Sequence, residues 1–277
     1  YHLRPNKSID RKLFVQTLIG LNQCWPISEY QYTGFGSYLF DDFKILHDTL
    51  NISKMISLEK DLNEYERAKF NVPYACIDVR NVSSTEFLTD LFIEDSSHNI
   101  FWLDYVSPAE IGIQIADYAT LLKKLNSGDI VRITLNANVA SLGKCNDPDK
   151  LQTMRLEKLR ERIPDEYFPT NITPEDMTTA KYPLLLLKIL KRIAVSCLED
   201  NPPYSPNFML PLFSSIYADG QQMLTVTGIV LDSHELEQKV KEILKGYPHN
   251  NFSWEKPCYI EIPPLSVREI MELNKLL

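Results

Sequence analysis

The sequence predicts an α/β fold: a doubly wound, mostly parallel sheet with a helical insertion and an antiparallel hairpin towards the C-terminus. Three observations carry this. Residues 29–135 alternate extended and helical patterns five times, the order that yields a parallel sheet with crossover helices. Extended segments such as 99–104 (NIFWLD) are apolar almost throughout, as strands covered on both faces must be. Two β-prone segments, 207–218 and 221–231, flank Asp219-Gly220, a strong hairpin signal.

Each element has its own warrant. Residues 8–22 place Leu13, Phe14, Leu18 and Leu21 on one helical stripe, with Ser8 as the expected N-cap. The aromatic segment 29–35 reads as the first strand, ending at Gly34. Helices are expected over 39–50 and 62–70, and strands over 54–59 (KMISLE) and 73–79 (PYACIDV). Ser83-x-x-Glu86 is a capping box opening a helix to about Phe92. Ser107-Pro108-Ala109-Glu110 repeats that signature and opens a helix read as reaching Gly128. A strand follows over 129–135. Residues 148–200 hold two or three helices, of which 183–198 is the most apolar. After the hairpin come a helix near 232–245, a Pro-rich extended segment at 257–264, and a last helix from Ser266, capped by Glu269.

The 277 residues, 44% of them hydrophobic, suffice to bury one large core and are read as a single domain. Its parts are an N-terminal arm and helix (1–28), a nucleotide-binding half (29–138), a helical insertion (139–200), and the hairpin with C-terminal helices (201–277). The net charge of −8 argues against a general nucleic-acid surface. The basic run 155–162 (RLEKLRER) is broken by glutamates and reads as a solvated helix face. The five cysteines, at 24, 76, 145, 197 and 258, show no CxxC spacing, and the five histidines form no ligand constellation, so no metal site is expected. No apolar run is long enough to span a bilayer. A reducing, cytoplasmic location is expected, and the sequons at Asn51, Asn81, Asn171 and Asn251 are read as chance. An oligomer is compatible with all of this.

In an open parallel sheet, ligands bind outside the carboxyl ends of the strands. Strand one ends in Thr33-Gly34-Phe35-Gly36-Ser37, and the next three end in Glu59, Asp78 and Asp104-Tyr105. Glycines admit close backbone approach. A carboxylate about 20 residues past a glycine turn accepts from a ribose diol, and Glu59 stands 25 residues past Gly34. Asp78, with Val79 beside it, is suited to an exocyclic amine, and Asp104 faces the reacting end. Alone, each has a blander use as a turn, a cap or a structural acid; together they point to a nucleoside-type ligand.

The element order, with its terminal hairpin, resembles class I S-adenosylmethionine-dependent methyltransferases. The motifs YHLRPNK (1–7), Y-x-GFGS, I-S-L-E and F-W-L-D-Y are similar to those of bacterial O-methyltransferase-type proteins, over nearly the whole chain. The resemblance implies a Rossmann-like, seven-stranded sheet and S-adenosylmethionine as cofactor. It places Gly34 and Gly36 near the methionine part, Glu59 at the ribose, Asp78 at the adenine amine, and Asp104 near the sulfonium. Asp104 and the adjacent Tyr105 are then the candidate catalytic residues for transfer to an oxygen. Tyr32 stands where that family has an acidic residue, and Tyr38 where it has a third glycine. These departures motivate an alternative, a fold that has lost turnover and serves as a binding or assembly subunit. A nicotinamide-dependent oxidoreductase is the second alternative, disfavoured by the incomplete GxGxxG and by the hairpin. For the opening segment, a simple lead into the first helix is favoured over Arg4 and Lys7 folding onto the rim to meet an anion.

Overall fold

The computed structural model describes residues 4–94, 97–198, 207–263 and 265–274. The first three residues of the YHLRPNK opening, among them His2, lie outside these. So do the last two residues of the insertion and Pro264.

Helix α1 (Pro5–Leu21) is followed by β1 (Gln31–Gly34), α2 (Asp41–Leu50), β2 (Lys54–Glu59), α3 (Leu62–Phe70), β3 (Ile77–Asn81), α4 (Ser84–Asp90), β4 (Asn99–Asp104), α5 (Ile111–Leu122) and β5 (Ile130–Asn136). The insertion holds α6 (Pro148–Arg160) and α7 (Tyr182–Leu198) among short 3-10 turns. Then come β6 (Phe208–Ala218), β7 (Gln222–Leu231), α8 (His234–Ile243), β8 (Cys258–Ile260) and α9 (Val267–Asn274).

The strands form one sheet in the order β3-β2-β1-β4-β5-β7-β6-β8. The pairs among β1 to β5 are parallel, and β7 runs antiparallel to both β5 and β6. The chain crosses from one side of β1 to the other between β3 and β4. A crevice therefore opens at the carboxyl ends of β1 and β4.

Strand alternation sorts the core. Neighbouring residues Phe101 and Trp102 on β4 fall into opposite apolar layers. Phe101 packs with α5, α7 and the β5–β7 side chains Ile133 and Val226. Trp102 packs with Phe14 and Leu18 of α1 and Phe43 of α2. Fully burying a side chain of this size contributes about 1.5–3 kcal/mol, so both faces of the central strands are fixed.

Several boundaries differ from the sequence reading. Helix α1 begins at Pro5, not at Ser8, because proline at the first helical position pre-sets φ. Strand β3 begins at Ile77, not at residue 73, because the ladder to β2 runs only from Met55–Ile77 to Glu59–Asn81. The Ser83–Glu86 capping box forms, but α4 stops at Asp90. Ser107 makes no side-chain cap, and α5 ends at Leu122, well short of Gly128. Part of the Pro-rich segment pairs in parallel with β6, which gives eight strands in place of seven. Among the described residues, no helix is long and apolar enough to cross a membrane.

Candidate active site

The site is built outward from β1. A Cβ on Gly34 would lie 2.6 Å from the Tyr32 hydroxyl; one on Gly36 would lie 2.6 Å from Ser57 Oγ and 2.7 Å from the Phe40 ring. Neither position has room for a side chain, so these glycines serve close packing. Gly36 N donates to Ser57 Oγ at 3.1 Å, and Gly36 O accepts from Phe40 N. The left-handed positions of the turn fall on Ser37 and Phe40, each at φ 51°. Tyr32 meets Phe43 edge-on in the core, with ring centroids 4.8 Å apart, and burial pushes its hydroxyl well above the ordinary tyrosine range. Tyr38 carries the Arg67 guanidinium 3.4 Å from its ring centroid, a cation–π contact. Both departures from the glycine-loop pattern are thus absorbed by packing.

A cleft of about 480 Å³ opens beside this loop, lined by Phe35, Glu59, Ser84, Asp104, Tyr105 and Ile113 among others. Glu59 closes β2 half-buried, and its Oε1 accepts from Asp61 N at 3.1 Å. Ser84 and Thr85, at the start of α4, donate to the Asp117 carboxylate at 2.6 and 2.7 Å. The Tyr105 hydroxyl donates to the same group at 2.6 Å. Buried Asp117 on α5 therefore holds one whole wall. Burial and the Asp117 charge push the Tyr105 phenol well above its ordinary value, so it stays protonated. An exposed Lys60–Glu110 ion pair, 2.9 Å long, spans the mouth; such pairs contribute about 0–1 kcal/mol.

Asp104 closes β4, and its Oδ2 accepts from Lys7 Nζ at 2.5 Å. The two side chains are 13% and 8% exposed. Its Oδ1 is buried and has no hydrogen-bond partner among the described residues. Burial disfavours the charge on Asp104, but Lys7, Arg11 and Arg132 outweigh it and hold the carboxyl below its ordinary value. Burial likewise opposes the charge on Lys7, and Asp104 and Asp42 outweigh it, raising the amine. The pair is ionised at neutral pH.

Lys7 reaches the rim because the first turn of α1 is capped from elsewhere. Asp219, in the β6–β7 turn, accepts from Asn6 N at 3.2 Å and Lys7 N at 2.8 Å, satisfying donors that a helix start leaves open. This corrects the simpler reading of the opening segment, since Lys7 does meet a carboxylate.

Of the expected site residues, Phe35, Glu59, Asp104 and Tyr105 line the cleft. Thr33, Gly34 and Gly36 are buried and support it from below, and Ser37 is exposed. Asp78 and Val79 do not line it. Asp78 does not end its strand: it pairs opposite Ile56, while Asn81 stands opposite Glu59. The Asp78 carboxylate accepts instead from Arg80 Nε at 2.7 Å on the exposed sheet edge. Ser84, Thr85 and Asp117 were missed, only the Ser83 capping box marking that stretch, and Lys7 had been weighed only as the less favoured reading of the opening segment. Among the described residues, no group of three or more His, Cys, Asp or Glu is placed to hold a metal ion.

A sheet reversing beside β1, acidic residues ending β2 and β4, and a β7 antiparallel to both β5 and β6 define the class I methyltransferase architecture. The chain belongs to the family described as "Putative O-methyltransferase", which it matches over residues 1–277. It is an enzyme that uses S-adenosylmethionine. No curated protein matches it. Among solved structures, the N-methyltransferase NodS from Bradyrhizobium japonicum WM9, in complex with S-adenosyl-L-homocysteine, is 8% identical over 81% of this chain and 87% of that one, with a TM-score of 0.43. A putative O-methyltransferase from Klebsiella pneumoniae is 10% identical over 77% of this chain and 79% of that one, with a TM-score of 0.39. The cleft suits the cofactor on its own evidence. Glu59 offers acceptors to a diol, Phe35 and Ile113 offer apolar walls, and Asp104 Oδ1 is a buried acceptor without a donor.

Proposed function

We propose that the chain transfers a methyl group to an oxygen acceptor, with Lys7 and Asp104 facing the reacting oxygen. The observation that carries this is Asp104 on the cleft wall, paired with Lys7 behind it and with its Oδ1 left unbonded among the described residues. The cofactor, when bound, supplies a methyl carbon on a sulfonium that leaves as a neutral thioether. Glu59 holds the ribose hydroxyls, Phe35 and the start of α4 flank the nucleoside, and the Gly34–Gly36 turn keeps the floor low. Asn81 and Ser83 replace Asp78 as the polar groups nearest the end of β3. Tyr105 serves as a wall, because its hydroxyl is committed to Asp117.

The acceptor oxygen lies against the Lys7 ammonium, which lowers the acceptor's pKa as it lowers that of Asp104. The Asp104 carboxylate takes the hydroxyl proton as the new O–C bond forms and the C–S bond breaks, and later passes it to water. Alignment accounts for much of the rate, as positioned groups replace a bimolecular encounter.

Glu59→Ala tests the cofactor half. A charge-assisted hydrogen bond is worth about 1.5–3 kcal/mol, so affinity for S-adenosylhomocysteine falls roughly ten- to a hundredfold by calorimetry. Unchanged affinity sinks this placement of the cofactor.

A further inference from the structure

Asp78 stands off the cleft, paired with Arg80 on the sheet edge. The amine of the adenine is therefore without the acceptor that the sequence assigns it. The end of β3 does not supply another. Ser83 lines the cleft, but its hydroxyl donates to Glu86 Oε2 at 2.7 Å and accepts from Glu86 N at 3.2 Å. Asn81 donates to Glu59 O at 2.9 Å and does not line the space.

On α5, Gln114 lines the cleft while only 2% exposed. Its Nε2 donates to Ser107 O at 2.6 Å. A carbonyl can only accept, so this bond fixes which end of the amide is the nitrogen. The other end, Oε1, makes no hydrogen bond with a described residue. A buried amide oxygen without a donor costs free energy until a ligand supplies one.

The hydroxyls around it are spent. Ser84, Thr85 and Tyr105 all direct their protons to Asp117, three residues further along the same face of α5. Each hydroxyl has one proton to give. The Lys60 ammonium, at the mouth, is engaged by Glu110. The side chains between the starts of α4 and α5 thus present oxygen lone pairs to a ligand. An amine suits them, whereas a ring carbonyl in the same place would set oxygen against oxygen.

We infer that Gln114 reads the base: its Oε1 accepts from the exocyclic amine of the adenine, in the role that Asp78 does not fill. The inference rests on the placement of the cofactor in this cleft given above. It makes the enzyme selective for an amino purine over an oxo purine. Base recognition then belongs to α5 and not to β3.

The test is calorimetry on the full chain with S-adenosylhomocysteine and with S-inosylhomocysteine, in which a ring carbonyl replaces the amine. The wild type is expected to prefer the adenosyl compound roughly tenfold or more, the scale of a hydrogen bond lost with a buried acceptor left unpaired. Gln114→Met keeps the length and removes the acceptor. It weakens S-adenosylhomocysteine roughly tenfold without weakening S-inosylhomocysteine. Asp78→Ala leaves both affinities as they are. Were Gln114 only to hold Ser107 in place, its loss would weaken both ligands alike, and that result overturns the inference. So does equal binding of the two ligands by the wild type, or a preference lost in Asp78→Ala. The wild-type comparison needs no variant, so it decides even where Gln114→Met does not fold. Glu59→Ala weakens both ligands by one factor, so failure of the cofactor placement is distinct from failure here.

Discussion

Asp10→Ala is expected to lower the unfolding free energy by about 3–5 kcal/mol, the cost of leaving one half of a buried ion pair alone. Asp10 and Arg132 are both fully buried, and Asp10 Oδ2 accepts from an Arg132 guanidinium nitrogen. The guanidinium lies over three rings, 4.7 Å from Phe14, 4.4 Å from Trp102 and 5.3 Å from Phe213, with a second nitrogen on Thr227 Oγ1. Without Asp10 its charge has no ion-pair partner among the described residues, and the Ser215 hydroxyl loses its acceptor too. Urea denaturation measures the effect. The double variant Asp10→Ala with Arg132→Met recovers much of the loss, because an apolar pair suits that pocket. A single-variant loss below about 1 kcal/mol, the scale of an exposed pair, would refute this account of how α1 docks.

Lys7→Met is expected to destabilise the fold towards the lower end of the same ~3–5 kcal/mol range, and to do so increasingly with pH. In the wild type, Asp104 titrates below its ordinary 3.8 and Lys7 above its ordinary 10.5. The Asp104 contribution is present above pH 3.8 and lost as pH falls through its folded value. The Lys7 contribution is present below 10.5 and lost as pH rises through its own folded value. The pair is therefore constant between. Methionine removes the charge while burial, the largest influence on Asp104, remains. The Asp104 carboxyl then titrates higher than in the wild type, and its ionised form penalises folding as pH rises from about 4. The proposed role of Lys7 beside the acceptor oxygen further implies that methyl transfer falls as well. Chemical denaturation of both proteins from pH 4 to 8 gives the answer. A stability difference that does not change with pH would mean that Lys7 acts by packing alone.

The sequence made the alternating strands, the Ser83–Glu86 cap and the Asp219-Gly220 turn legible because each is written in residues a few positions apart. Glu59 and Asp104 were legible for the same reason, as acids ending apolar runs. Asp78 was misplaced because strand ends are set by the neighbouring strand's ladder, and the extended stretch 73–76 lies before it starts. Strand β8 has three residues, too few for any period to show. Lys7 on the rim was the less favoured of two readings. Its partner lies 97 positions away, and nothing local distinguishes a rim lysine from a solvated one. The Tyr32 and Tyr38 departures read as losses in the sequence, and only packing shows that each has its own contact.

The capping of α1 by Asp219 has a consequence for the order in which the enzyme becomes complete. The bonds that start this helix close loops of 212 and 213 residues, and Asp10 reaches Ser215 across 205. Loops of that length form late. Helix α1, although it precedes the sheet in the chain, is thus among the last to dock, and a chain ending before β6 lacks the Asp219 cap that starts this helix. In pulse-labelling hydrogen exchange during refolding, amides of α1 should gain protection after those of β1 to β5.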